Sequence, residues 1–349
     1  MGIKKLYKFL SELDLVKEYA NLGKYVGVRR KQSNNKKIVF GIDFWLYAHK
    51  FSYSYGNMII GFWNQIIKLL SHNIIPLYIY DGKPPYEKDP IIQQRKRKRT
   101  NLETKLNNVC NEMLECNDSQ LEILEDQKMK IKKSIIYIKK NDIDIIKEFF
   151  DVLHIPYLTA IGEADALCAK LYKDGIISAC LSDDMDMLAL GCGITIKFQE
   201  GKVLEFDLDH ILDKLKITYN QFVEMCIMFG CDYIKLPFKL DINESYKLIK
   251  THGNIENILN DANHVNLNRQ NEKCKMFING YKNAKNLLTL SSSKENIDNY
   301  NPTINKEIDA FMVLSYLKKY GDIKYVTDNM DNIVNSINYI NFHIARNSD

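Results

Sequence analysis

Three short apolar runs in this chain each end in an acid. Residues 37–42 run into Asp43, residues 74–80 run into Asp81, and residues 176–181 run into Ser182, Asp183 and Asp184. Each run has the length and the β-branched or aromatic content of a strand. Helical patterns separate them, at residues 59–70, 143–153 and 164–172. Strands alternating with helices predict an α/β fold on a mostly parallel sheet flanked by helices. In such sheets sites gather at the carboxyl ends of the strands, which here is where the acids fall.

Composition narrows the class further. The chain is 46% hydrophobic and 26% charged, enough to bury a sizeable core, which excludes disorder, a collagen-like fibre and a disulfide miniprotein. Net charge is +4, from 48 basic and 44 acidic residues, so any nucleic-acid surface must be local. The eight cysteines form no C-x-x-C pair and sit among apolar residues. That pattern predicts reduced core thiols rather than zinc ligands or disulfides. The N-terminus lacks the apolar stretch of a signal peptide. Gly2 hints at myristoylation, but Leu6 stands where Ser or Thr is expected. No run reaches the roughly 20 apolar residues of a membrane span. The expectation is an intracellular protein.

Residues 87–140 are highly charged and lack strand-like runs. Asp89-Pro90 reads as an N-cap followed by proline at the first helical position. The basic run Arg95-Lys96-Arg97-Lys98-Arg99 follows, with a second basic stretch over residues 128–140. This predicts a helical arch inserted between sheet elements; the alternative is a disordered charged loop. The expected division is an α/β core over 1–204 including the arch, a helical region over 205–300 and a helical extension over 301–349. Within the middle region residues 218–229 form an amphipathic helix, closed by Gly230 in the left-handed position.

Further acids cluster in short motifs. Glu163 and Asp165 stand in Gly162-Glu163-Ala164-Asp165-Ala166, at a helix start. They either point towards one site or simply favour the helix dipole. Asp184 and Asp186 alternate in Ser182-Asp183-Asp184-Met185-Asp186, so extended chain places both on one side. Asp232 follows Gly230-Cys231. If Asp43, Asp81, Glu163, Asp165, Asp184, Asp186 and Asp232 converge, their repulsion must be relieved by protonation or cations. Clustered carboxylates suit hard, oxygen-loving ions such as Mg²⁺ or Mn²⁺. Two such ions activate water and stabilise a leaving oxygen in phosphodiester cleavage. The bland reading is seven ordinary surface acids.

With these motifs in order, the chain resembles the flap endonuclease (XPG-type) family of structure-specific 5′ nucleases. The residues carrying the resemblance are Met1-Gly2-Ile3 with Leu6, Ile42-Asp43, Tyr80-Asp81-Gly82-Lys83-Pro84-Pro85, Gly162-Glu163-Ala164-Asp165-Ala166, Asp183-Asp184-Met185-Asp186 and Gly230-Cys231-Asp232-Tyr233. They cover roughly residues 1–260. The resemblance implies a PIN-like nuclease fold with a helical arch over the active site and a helix–two-turn–helix-like region. It implies hydrolysis of DNA at single-strand/duplex junctions with two Mg²⁺ ions, Mn²⁺ being an accepted replacement. By position the seven acids match the family's metal ligands. Lys88 and Arg95 match the basic pair that approaches the scissile phosphate, the alternative being a solvated helix start. Gly2 matches a residue used near the active site. The interval from Asp81 to Glu163 is close to that of flap endonucleases and far shorter than the excision-repair branch.

Four departures qualify the resemblance. The interval from Asp43 to Asp81 is short where the family carries its junction wedge, which weakens the expectation of strict flap specificity. A stacking aromatic of the family falls at His49, with Tyr47, Phe51, Tyr53 and Tyr55 as substitutes or as packing residues. The Gly-x-Gly-Pro hairpin of the duplex-binding region reads Leu236-Pro237-Phe238-Lys239-Leu240-Asp241. Without its glycines a K⁺ site there is not expected, and Lys235, Lys239 and Lys247 are the phosphate-binding candidates. Arg97 and Arg99 are the corresponding candidates on the arch. No sliding-clamp peptide follows residue 300. These losses suggest a divergent member, such as one from a large DNA virus or a parasite, acting as a monomer on DNA in replication, repair or recombination. Its expected compartment is the nucleus or a cytoplasmic viral replication site. The competing readings are a 5′→3′ double-strand exonuclease of the same family, a PIN-group nuclease acting on RNA, and a DNA-binding protein that has lost catalysis.

Overall fold

A computed structural model describes residues 3, 5–32, 37–115, 118–237, 240–261, 272–290, 297 and 300–346. The chain divides into two compact units of non-contiguous segments. The first comprises Met1–Phe44, His72–Glu87 and Tyr157–Thr303; the second comprises Trp45–Ser71, Lys88–Pro156 and Ile304–Asp349.

The strands of the described residues all lie in the first unit. They are β1 (Lys17–Tyr19), β2 (Ile38–Asp43), β3 (Ile74–Tyr80), β4 (Tyr157–Thr159), β5 (Ala179–Leu181), β6 (Ile194–Gln199) and β7 (Lys202–Asp207). They form one seven-stranded sheet of order β1-β7-β6-β5-β2-β3-β4. The pairs β2–β3, β2–β5, β3–β4 and β5–β6 are parallel, and β1–β7 and β6–β7 are antiparallel. The expected mostly parallel α/β sheet is therefore present.

The three runs visible in the sequence are β2, β3 and β5, which are neighbours in the middle of the sheet. Strands covered on both faces read as unbroken apolar stretches, and β2 and β3 are buried almost throughout. The helix Ala164–Lys173 packs on all three, burying Ala164, Ala166, Leu167, Cys168, Ala169 and Leu171. The other four strands were not anticipated. Of these, β6 and β7 form a hairpin through Glu200 and Gly201, both at positive φ (51° and 81°), the backbone that a tight two-residue turn requires. At the β1 edge the buried Glu205 is neutralised by Arg29 and Lys17, as a buried carboxylate must be.

Beyond the sheet the first unit is helical. Thr218 caps the helix Tyr219–Phe229 in a capping box with Gln221. Gly230 ends it at φ 100°, ψ 122°, a positive φ that favours glycine but not the expected left-handed helical conformation. A second helix, Ile242–His252, starts at its cap Asp241. The buried Glu224 accepts the Ile255 amide and the Lys285 ammonium, the latter at 2.6 Å. That carboxylate ties together the helices Tyr219–Phe229, Ile255–Asn260 and Glu272–Leu290.

The described elements of the second unit are helical. The charged segment predicted as an arch folds as two helices, Asp89–Glu115 and Asp118–Ser134, packed on one another. The first helix begins at Asp89 itself, one residue before the expected start. Helices Met58–Leu70 and Lys140–Val152 meet through Phe62 and Phe150, edge to face at 5.4 Å. The helix Ala310–Tyr320 joins them by stacking Tyr316 on Phe149 at 5.4 Å. No helix among the described residues is long and apolar enough to cross a membrane.

Candidate active site

Sheet register brings the acids of the first unit to one edge. Asp43 ends β2 and lies level with Ile79 of β3, two residues before Asp81. Ile42 lies level with Leu181, the last residue of β5, so residues 182–184 leave the sheet beside Asp43. Parallel β4 ends at Thr159 and leads into Glu163 and Asp165 at the start of the helix Ala164–Lys173.

Specific contacts close the gaps between these strand ends. The Gly82 amide donates to the Gly162 carbonyl at 2.6 Å, and the Lys83 amide donates to the Ile161 carbonyl at 3.0 Å. Asp81 Oδ1 accepts the Ala164 amide at 2.7 Å, so Asp81 supplies the carboxylate at this helix N-terminus. Glu163 occupies the cap position but makes no side-chain capping bond. It accepts instead from the Tyr233 hydroxyl, at 2.9 Å on Oε2. Tyr233 follows Asp232 in a turn held by the Cys231–Ile234 bridge.

Electrostatics map the remaining acids onto the same place. Burial, then the charges of Glu163, Asp186 and Asp165, push the Tyr233 hydroxyl well above its ordinary pKa. Burial, with the charges of Asp186 and Asp232, pushes the Cys231 thiol up to about 11. At Cys168 the neighbouring Cys180 thiol pulls the pKa down, but burial and the charges of Asp165 and Asp43 leave it raised. Asp184 joins through its Oδ1, which accepts the Asp186 amide at 3.1 Å. The expectation that extended chain presents Asp184 and Asp186 on one side is corrected. The strand stops at Leu181 and Asp186 opens a short helix, Asp186–Ala189. A turn, not a pleat, brings these two acids together.

Among the described residues no three His, Cys, Asp or Glu are already drawn together tightly enough to hold a metal. The chemistry nevertheless fits: the donors are carboxylate oxygens, the set that hard cations prefer. The Oδ1 atoms of Asp165 and Asp186 are buried and accept no hydrogen bond.

The other sequence candidates are distributed as follows. Lys88 is half-buried at the end of a single 3-10 turn, Tyr86–Lys88, and Arg95 is exposed on the helix that follows. Arg97 and Arg99 are exposed on the same helix, with Arg99 over the Tyr137 ring at 5.1 Å. His49 is exposed beside Trp45; desolvation, then the charges of Arg95 and Arg99, lower its pKa. Tyr47 is corrected as a stacking candidate. It is 2% exposed and packs on Phe51, itself buried, so neither ring has a face for a base. Tyr53 and Tyr55 are exposed and line a cavity of about 710 Å³ with Lys132, Lys133 and Tyr137. Lys235 and Lys247 are exposed in the first unit. Gly2 and Lys239 lie outside the described residues.

Comparison with known proteins gives the chain a family. The XPG N-terminal domain model matches residues 1–102 and the XPG I-region model matches residues 154–232, together just over half of the chain. Flap endonuclease 1-B of Physcomitrium patens is 31% identical over 211 residues, covering 59% of this chain and 58% of that protein. Flap endonuclease 1 of Saccharomyces cerevisiae is 32% identical over 207 residues, covering 58% of this chain and 51% of that protein. This chain thus spans little more than half the length of these curated relatives. Among solved structures, the catalytic core of Rad2 in complex with DNA substrate superposes with a TM-score of 0.67 at 18% identity, over 96% of this chain and all of that one. Flap endonuclease-1 from Methanococcus jannaschii gives 0.62 at 18% identity, over 96% and 98%. A mixed α/β sheet with acids at one carboxyl edge defines the class as a PIN-like nuclease fold. The chain belongs to the XPG-type flap endonuclease family.

Proposed function

We propose that this protein is a metal-dependent, structure-specific 5′ nuclease that hydrolyses DNA at single-strand/duplex junctions in replication, repair or recombination. What supports this reading is that Asp43, Asp81 and the segment carrying Asp184 leave neighbouring strands at one sheet edge, that Asp81 and Tyr233 bond to the helix start at Ala164 and Glu163, and that the seven acids stand in the family's order. A pure binding protein gains nothing from clustered negative charge beside a phosphate backbone.

These acids would hold two Mg²⁺ ions, or Mn²⁺ in their place. The chemistry such ions would supply there is acidification of a water and stabilisation of negative charge at the phosphate. On the family match alone, Lys88 and Arg95 are the pair proposed for the scissile phosphate, Lys88 as a point charge and Arg95 as a fork for its non-bridging oxygens. Arg97 and Arg99 extend that basic surface along the helix, and Lys235 and Lys247 hold duplex phosphates. Gly2, His49 and Lys239 are kept as DNA contacts on the family match alone. We keep the nucleus, or a viral replication site, as the compartment.

The reading is tested by cleavage of 5′-labelled and 3′-labelled flap duplexes with Mg²⁺ and with EDTA. One released flap, only with metal, is the expected product. Successive mononucleotides would mark a 5′→3′ exonuclease. No cutting of flap, nicked or blunt DNA would defeat the proposal.

A second expectation concerns salt. Each neutralised phosphate contributes about 0.9 to the slope of log K against log salt on duplex, and about 0.7 on single strands. The Arg95→Ala, Arg97→Ala double variant should therefore flatten that slope by about 1.4–1.8, measured by fluorescence anisotropy in EDTA. An unchanged slope would remove the helix Asp89–Glu115 as a DNA surface.

A further inference from the structure

The Tyr233 hydroxyl donates to Glu163 Oε2 at 2.9 Å across 70 residues of sequence. Tyr233 is one residue from Asp232, and the charges of Glu163, Asp165 and Asp186 all act on it. Its backbone is held in a turn closed by the Cys231–Ile234 bridge. Glu163 itself occupies the cap position of the helix Ala164–Lys173. A glutamate at such a position has three rotatable side-chain bonds and loses rotamer entropy when it is fixed on a ligand.

From this geometry we infer that Tyr233 is a positioning residue: its hydroxyl pre-orients the Glu163 carboxylate for the divalent ion of the proposed nuclease site. This inference rests on the metal-dependent reading above. The hydroxyl acts through Glu163, to which it donates its hydrogen bond. Groups that orient a metal's carboxylate ligands typically contribute ten- to a hundredfold in metal affinity. The physical reason is that rotational freedom is lost once, on folding, rather than at each binding event.

Tyr233→Phe removes the hydroxyl and keeps the ring, so packing in the turn is preserved. Direct titration of the metal-free protein with Mn²⁺, followed by electron paramagnetic resonance, should show about a tenfold rise in Kd. The Mg²⁺ concentration for half-maximal cleavage should rise by the same factor, with kcat recovering at saturating Mg²⁺. DNA affinity in EDTA should be unchanged. In a Glu163→Ala background the Tyr233→Phe substitution should have no further effect on the Mn²⁺ Kd, because the group it orients is gone. An unaltered Mn²⁺ Kd in Tyr233→Phe, beside a wild-type protein that binds Mn²⁺ and cleaves, would overturn this inference alone. An additive loss in the Glu163→Ala background would also overturn it. A wild-type protein that neither binds Mn²⁺ nor cleaves would overturn the inference together with the function beneath it.

Discussion

Replacing Asp186 by alanine should lower the single-turnover cleavage rate at saturating Mg²⁺ about a thousandfold or more, while leaving the fold and DNA affinity intact. Asp186 is 3% exposed and opens the short helix Asp186–Ala189. Its charge acts on Tyr233, Cys226 and Cys231, which places it beside the turn at Cys231–Ile234. Metal-held charge stabilisation of a phosphoryl transition state is worth several kcal/mol, and about 4 kcal/mol corresponds to about a thousandfold in rate. Stability should move little. The substitution removes a first-turn acid, worth about 0.3–1 kcal/mol, but relieves repulsion from Glu163 and Asp165. The melting temperature in EDTA therefore separates the two contributions: it should stay near wild type while cleavage collapses. The control is Asp126→Ala, which removes only an exposed partner of Lys130 and should leave both unchanged. Turnover within about tenfold of wild type in Asp186→Ala would end the assigned role.

How much of this site was legible depended on where the chain runs through the sheet. The runs ending at Asp43, Asp81 and Asp183 announce themselves because β2, β3 and β5 are covered on both faces and must be apolar throughout. β1, Lys17–Tyr19, and β4, Tyr157–Thr159, are three residues each at the sheet's edges, too short for a period to show. The β6–β7 hairpin had a usable signal, since Ile194, Ile196 and Phe198 alternate with Thr195, Lys197 and Gln199 before Glu200-Gly201. The acids were legible as motifs, but their grouping was not. Asp184 and Asp186 meet through a turn rather than a pleat, and Asp81 reaches Glu163 through the neighbouring Ala164 amide. Tyr233 was visible within Gly-Cys-Asp-Tyr, yet nothing in that string points to a glutamate 70 residues earlier.

Gly82→Ala should destabilise the first unit by about 2–6 kcal/mol and reduce cleavage further than that loss of folded protein explains. Gly82 lies in the Asp81-Gly82-Lys83-Pro84-Pro85 string, and the structure supplies a physical reason for its glycine. A Cβ at this position would lie well inside 3.0 Å of the Ala160 and Ile161 carbonyls. Both obstacles are backbone, so no side-chain rotation relieves the clash. The two segments must part, straining or breaking the bonds from Gly82 to Gly162 and from Lys83 to Ile161. Overpacking costs about 1–3 kcal/mol and each lost hydrogen bond about 0.5–1.5 kcal/mol, which gives the expected range. The effect on catalysis is separate. Those bonds set the distance between Asp81 and the Glu163 helix start, and a misplacement of about 1 Å in such a group costs about a hundredfold in rate. Lys83→Ala keeps the backbone bonds and should melt like the wild type. Urea melts of the two variants, with cleavage rates corrected for folded fraction, decide the matter. A Gly82→Ala protein with wild-type stability and rate would show that this approach of the two segments is not what holds the acids in register.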